Sequence, residues 1–153
     1  MALRKIVEVG DDVLRKKCRP VPEVTDRIRE LIDDMFETLY DAQGVGLAAP
    51  QVGVMRRLFV VDLQDGSGQK VLINPEIVEE KGEEDGEEGC LSIPNRVGRV
   101  TRPAYVRIKG LDRNGEPVEY EAEGLLARAF CHEYDHLDGI LYADKAVEMW
   151  AVE

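Results

Sequence analysis

The chain holds only two histidines, and both fall in the pentapeptide His132-Glu133-Tyr134-Asp135-His136. On a helix, the H-E-x-x-H spacing puts both imidazoles on one face a turn apart, with a carboxylate beside them. Two imidazoles alone leave a divalent ion short of at least one protein ligand, and no third histidine exists to supply it. The missing ligand is therefore a thiolate, a carboxylate or nothing. Glu133 fits a base that reaches water at a metal without ligating the metal.

The choices for the third ligand are few. A histidine six residues after His136 would complete one known arrangement, but Tyr142 stands there. A downstream carboxylate would have to be Glu148 or Glu153. Cys90 sits in EGCLSIP (88–94), between a glycine and a short apolar segment. A thiolate with two imidazoles makes three ligands of a tetrahedral site and leaves the fourth position open for water.

These residues need elements to hold them. Thr25 predicts an N-cap for a helix running to about Asp41, with Ile28, Leu31, Ile32, Met35, Phe36 and Leu39 as its buried stripe. Pro20 and Pro22 stop any helix over 11–19. The uncharged, glycine-rich stretch 44–53 reads as a loop, and 58–63 and 71–73 read as short strands. Tyr105 to Leu111 alternates in period two, and Asn114-Gly115 turns it into a partner strand over 118–121. From Gly124 to Asp138 the pattern is helical and ends at Gly139. Strands in the middle and helices towards the ends predict an α+β domain with mostly antiparallel sheet.

Composition narrows the function classes. The apolar fraction of 44% and charged fraction of 33% over 153 residues suit one globular domain, residues 1–153. A net charge of -11 argues against nucleic-acid binding, which needs a basic footprint. The acidic run EEKGEEDGEE (79–88) reads as a solvated loop or strand edge. No apolar run approaches a membrane span, and MALRKIVEVG lacks the apolar core of a signal peptide. With three cysteines, an odd number, reduced thiols and a cytoplasmic location are expected.

GVGLAAPQVG (44–53), EGCLSIP (88–94) and HEYDHLDG (132–139), in that order and spacing, resemble the three motifs of peptide deformylases. The resemblance runs over nearly the whole chain. It implies antiparallel sheets packed around a central metal-binding helix, and removal of the formyl group from N-formyl-methionyl nascent peptides as formate. It also implies that Cys90, His132 and His136 bind one divalent ion, often Fe²⁺ in this family and Zn²⁺ in other preparations. On the same resemblance, metal-bound water attacks the formyl carbon with Glu133 as base and then acid. It likewise implies that Gln51 and the backbone N–H of Leu91 stabilise the oxyanion; read without the flanking motif, Gln51 is rather a loop residue capping a nearby carbonyl.

Gly44 and Gly46 allow backbone to approach an extended peptide, and Val45, Leu125 and Ala129 are the residues of an aliphatic pocket for the substrate methionine. Leu125 reads equally well as ordinary core. Glu88 is expected to pair with Arg102 and steady the segment carrying Cys90. Cys131, where the family often has glutamine, should pack beside the site rather than ligate. Transient ribosome association is implied, though the longer C-terminal element common in the family does not follow Gly139 here. Two rivals remain: a small metallopeptidase with a carboxylate as third ligand, and a non-catalytic metal- or peptide-binding protein.

Overall fold

The computed structural model describes residues 2–152. Helix α1 (Asp26–Asp41) begins where Thr25 Oγ1 accepts the N–H of Ile28 at 3.3 Å. Leu31, Ile32, Met35, Phe36 and Leu39 form its buried face, as their spacing predicts. That face packs into a cluster with Leu47, Leu58, Val60 and Ile73.

The sheets are wholly antiparallel. Strands β1 (Gly46–Ala48), β2 (Leu58–Val61), β3 (Lys70–Lys81), β6 (Tyr105–Leu111) and β7 (Pro117–Glu123) form a five-stranded sheet in the order β1-β2-β3-β6-β7. A second sheet has the order β4-β5-β8, from β4 (Glu84–Cys90), β5 (Ile93–Arg102) and β8 (Glu148–Ala151). The β6–β7 hairpin closes through residues 112–116, where Asp112 Oδ1 accepts the N–H groups of Asn114 and Glu116.

Helix α2 (Gly124–Leu137) joins the two sheets. Ala127, Phe130, Cys131 and Leu137 enter the apolar cluster with Phe59, Leu72, Val106 and Ile108. Arg128, His132 and Asp135 point another way, towards residues of β4 and β5. The chain turns away at Gly139, whose φ of 74° suits glycine and whose Cβ would lie 2.5 Å from the carbonyl oxygen of Arg15.

Two expectations need correcting. The segment 44–53 is not all loop: it contains β1 and a 3-10 turn over Ala49–Val52. Strand β3 runs well past Ile73, because Asn74 and Pro75 sit in a register shift instead of ending it. There Asn74 binds Val21 through both its side-chain oxygen and nitrogen. Of the two readings of the acidic run, loop or strand edge, the structure shows the second: it is the end of β3 and most of β4, with β4 at a sheet edge.

Candidate metal centre

His132 and His136 stand one turn apart on α2, their ring centroids 5.1 Å apart. Cys90, the last residue of β4, brings its Sγ to 3.4 Å from His136 Nε2. One donor atom from each of the three residues lies within 4.8 Å of the others. Tetrahedral coordination at ordinary Zn–S and Zn–N lengths spaces donors by about 3.3–3.6 Å, so this set fits a divalent ion with little movement. Glu148, the carboxylate alternative, is exposed on β8 and faces Arg99 at 3.9 Å. Glu153 lies outside the described residues.

The histidines are supported unequally. His132 Nδ1 lies 2.8 Å from Glu88 Oε1, which leaves its Nε2 free to ligate. His136 Nδ1 is buried with no hydrogen-bond partner among the described residues. Burial, followed by the neighbouring His132, pushes His136 well below its ordinary value, so it stays a neutral donor. For His132 burial acts downward, but Glu133, Cys90 and Glu88 outweigh it and draw positive charge to the ring. A proton there and a divalent cation are alternatives for that same field.

Glu88 is nearly buried among cations. Arg102 donates to it twice, Nε to Oε2 at 2.8 Å and Nη2 to Oε1 at 2.9 Å, and its Nη1 reaches Asp135 Oδ2 at 2.6 Å. Arg128 Nη1 adds a third bond to Glu88 Oε2 at 2.7 Å. Burial would raise the Glu88 carboxyl, yet the bonds from Arg102 and His132 hold it well below the usual carboxylate range. The expected Glu88–Arg102 pair is thus present and bidentate.

Glu133 is 4% exposed, with Oε2 4.0 Å from His132 Nε2 and Oε1 without a hydrogen-bond partner among the described residues. Burial pushes its carboxyl up to about 7. Gln51 is buried in the 3-10 turn after β1; its Oε1 accepts the Ala48 N–H at 2.9 Å. Its Nε2 donates to Ser92 Oγ at 3.1 Å and faces Cys90 Sγ at 3.6 Å. The amide therefore caps the backbone and aims its donor end towards the thiol at once. Leu91 occupies the turn between β4 and β5, and its side chain lies against Gly44.

The residues assigned to substrate are more scattered in environment. Gly46 lies so close to Glu133 that a Cβ would stand 2.6 Å from Oε2. Val45 and Leu125 are 39% and 58% exposed, whereas Ala129 is buried in the core. Leu125 is therefore not core, and the three do not share one enclosed environment. Cys131 is outside the donor set, buried on another face of α2, with burial pushing its thiol up to about 12.

Sequence reasoning missed Arg128, Ser92, Asp135 and Tyr142. Tyr142 is fully buried and stacks on His132 at 5.9 Å between centroids. The spacing of Arg128, His132 and Asp135 on one helical face was the available signal for two of them.

Comparison with known proteins bears on this arrangement. The Polypeptide deformylase family pattern matches residues 3–150. A peptide deformylase of Lachnoclostridium phytofermentans is 58% identical over 146 residues, covering 95% of this chain and 90% of the relative. The crystal structure of a peptide deformylase from Legionella pneumophila superposes with a TM-score of 0.91 at 49% identity, over 94% of this chain and 85% of that one. That of Thermotoga maritima gives 0.92 at 44% identity, over 95% and 99%.

Proposed function

With the chain's membership of the polypeptide deformylase family as premise, we propose that Cys90, His132 and His136 hold one divalent ion and that Glu133 moves the proton. The protein is a metal-dependent hydrolase that removes the N-formyl group from nascent peptides. A divalent ion held by these three residues would supply Lewis acidity when bound. Fe²⁺ is the resident ion we propose, with Zn²⁺ as the alternative that the same thiolate and imidazoles accept.

Glu133 takes the proton of the attacking water as the new C–O bond forms at the formyl carbon. It then returns that proton to the departing nitrogen as the C–N bond breaks, giving formate and a free amine. Burial raises this carboxyl above an exposed glutamate, which suits it to take up a proton and hand it on. Gln51 Nε2 and the Leu91 N–H stabilise the oxyanion, a contribution worth ~10²–10³ in rate per donor. Gly44 and Gly46 receive the extended peptide, and its methionine side chain lies against the exposed Val45 and Leu125; Ala129, buried in the core, is not part of that surface. Glu88 and Arg102 orient His132 and the Cys90 segment. Residues 1–153 act as one catalytic domain. Substrates of this kind arise at the ribosome, which fits a cytoplasmic enzyme in transient contact with it.

The observation that carries this reading is the unpartnered, buried Glu133 Oε1 beside a three-donor cluster. Formate release from a formyl-methionyl peptide, with protein loaded anaerobically with Fe²⁺, tests it beside Glu133→Ala. The variant should bind the metal and release no formate. Loss of metal from the variant would contradict the base assignment, and silence from loaded wild type would contradict the whole reading.

A further inference from the structure

Arg128 is only 6% exposed, on α2 one turn ahead of His132, and no role above needs it. Besides Glu88, its Nη1 donates to the Val100 carbonyl at 2.9 Å and its Nη2 to the Glu84 carbonyl at 2.8 Å. Those acceptors lie on β5 and β4, the two strands whose connecting turn follows Cys90. The guanidinium lies against Gly86 of β4, where a Cβ would come within 2.8 Å of Nη2 and 2.9 Å of Cζ. Any other residue at position 86 would displace it.

We propose that Arg128 is a positioning residue of the metal centre, a clamp that ties the β4–β5 hairpin to α2 and so sets Cys90 against the histidine pair. The proposal rests on the reading of those three residues as ligands. The hairpin needs such a tie. Strand β4 is at the sheet edge, hydrogen-bonded only to β5 among the described strands, and its register shifts between Glu88 and Cys90. Arg102 joins β5 to α2 through Asp135, but its bonds to β4 go through the Glu88 side chain alone. Arg128 alone of the two also grips backbone on both strands. A planar fork can satisfy acceptors spread over a carboxylate and two carbonyls; a lysine ammonium on its flexible stem cannot match that geometry.

The test uses Co²⁺ as a spectroscopic probe on the metal-free full chain, comparing wild type with Arg128→Met, Arg128→Lys and Gly86→Ala. Affinity is read by competition with a chelator, ligation by the thiolate-to-cobalt charge-transfer band, and folding by urea unfolding without metal. Arg128→Met should bind Co²⁺ about 10–100-fold more weakly, as partners behind metal ligands typically do when removed. Its thiolate band should weaken more than its d–d bands, because Cys90 moves relative to the imidazoles. Arg128→Lys should recover part of the affinity. Gly86→Ala should shift affinity and band in the same direction with the charge intact, and it decides the matter if Arg128→Met fails to fold. Lower folding stability with wild-type affinity and band would make Arg128 a stabilising residue only and overturn the proposal. A wild type that binds Co²⁺ without any thiolate band would instead overturn the ligand assignment beneath it.

Discussion

Gly46→Ala is the smallest change that should strike the chemistry without touching a metal ligand. The new methyl group would stand 2.6 Å from Glu133 Oε2 and 3.1 Å from its Cδ and Cγ. Ordinary contact begins near 3.4 Å, so something must give by roughly 0.8 Å. Strand β1 is poorly placed to yield. It is paired with β2 along its length, and the Val45 carbonyl accepts the Asp62 N–H at 2.9 Å. The carboxylate is the end of a flexible side chain, so it moves first. Misplacement of a reacting group by ~1 Å can lower a rate about 10²-fold, equivalent to ~2.7 kcal/mol.

The assay is steady-state hydrolysis of a formyl-methionyl peptide, with the metal content of each preparation measured. We expect kcat to fall about 30–100-fold with full metal occupancy. A rise in KM alone would mean that the methyl group obstructs the peptide instead. Glu133→Asp gives a second handle, since the shorter side chain withdraws from the new methyl group. In the Gly46→Ala background it should cost less than it does alone, with a coupling of at least ~1 kcal/mol. A kcat within threefold of wild type, or strictly additive losses, would refute this steric argument.

Three further outcomes are expected. Glu88→Ala should destabilise the protein by about 3–5 kcal/mol in urea unfolding, because it strips two buried guanidiniums of their shared partner; an unchanged midpoint would contradict the buried network. Formyl-methionyl peptides should exceed formyl-glycyl peptides in kcat/KM by roughly 10–100-fold, from ~1.5–3 kcal/mol of side-chain burial, and Leu125→Asp should shrink the ratio. Equal values would remove Leu125 from the substrate site. Cys18 is 4% exposed and burial pushes its thiol up to about 11, so an unfolded thiol ionises before the folded one. Its contribution is complete below pH ~9 and declines as pH rises towards 11, by up to ~2–3 kcal/mol. The loss of stability between pH 8 and 10.5 should therefore be smaller in Cys18→Ala than in wild type; equal losses would show that the thiol is not the cause.

What could be read from the residues followed from locality. Both helices announced themselves through a 3.6 period, a Thr25 cap and a Gly139 stop, and the β6–β7 hairpin through alternation around Asn114-Gly115. Strands β4 and β5 did not, because EDGEEGC and IPNRVGRVTR are rich in charge and glycine. Their pairing follows from the sheet, and much of their length faces solvent. In β5 the buried positions include Gly98, Val100 and Arg102, a period-two set that charge at Arg102 disguises. The two histidines were legible as a pair because one helical turn joins them. Cys90 lies far off in sequence and meets them only through the topology, so its chemistry offered it as one candidate and resemblance chose it. Arg128 was missed for a related reason: a charged residue on a helix is normally solvent-facing, and its burial depends on partners in other strands.

The buried charges are not there chiefly for stability. Arg102, Arg128, Glu88 and Asp135 lie between α2 and the β4–β5 hairpin at 8% exposure or less. Apolar residues of similar volume in such places are often as stabilising or more so. Apolar packing, however, is non-directional and cannot choose between the two nitrogens of an imidazole. Glu88 can, because its Oε1 engages His132 Nδ1 and leaves Nε2 free for the proposed metal. For that choice to hold, Glu88 must stay ionised and fixed, and the guanidiniums of Arg102 and Arg128 accomplish both. The same carboxylate belongs to the strand that ends in Cys90, so orienting one proposed ligand would also locate another. A divided donor set, one residue on a strand and two on a helix, makes such directional bonds necessary where a metal must meet all three at once.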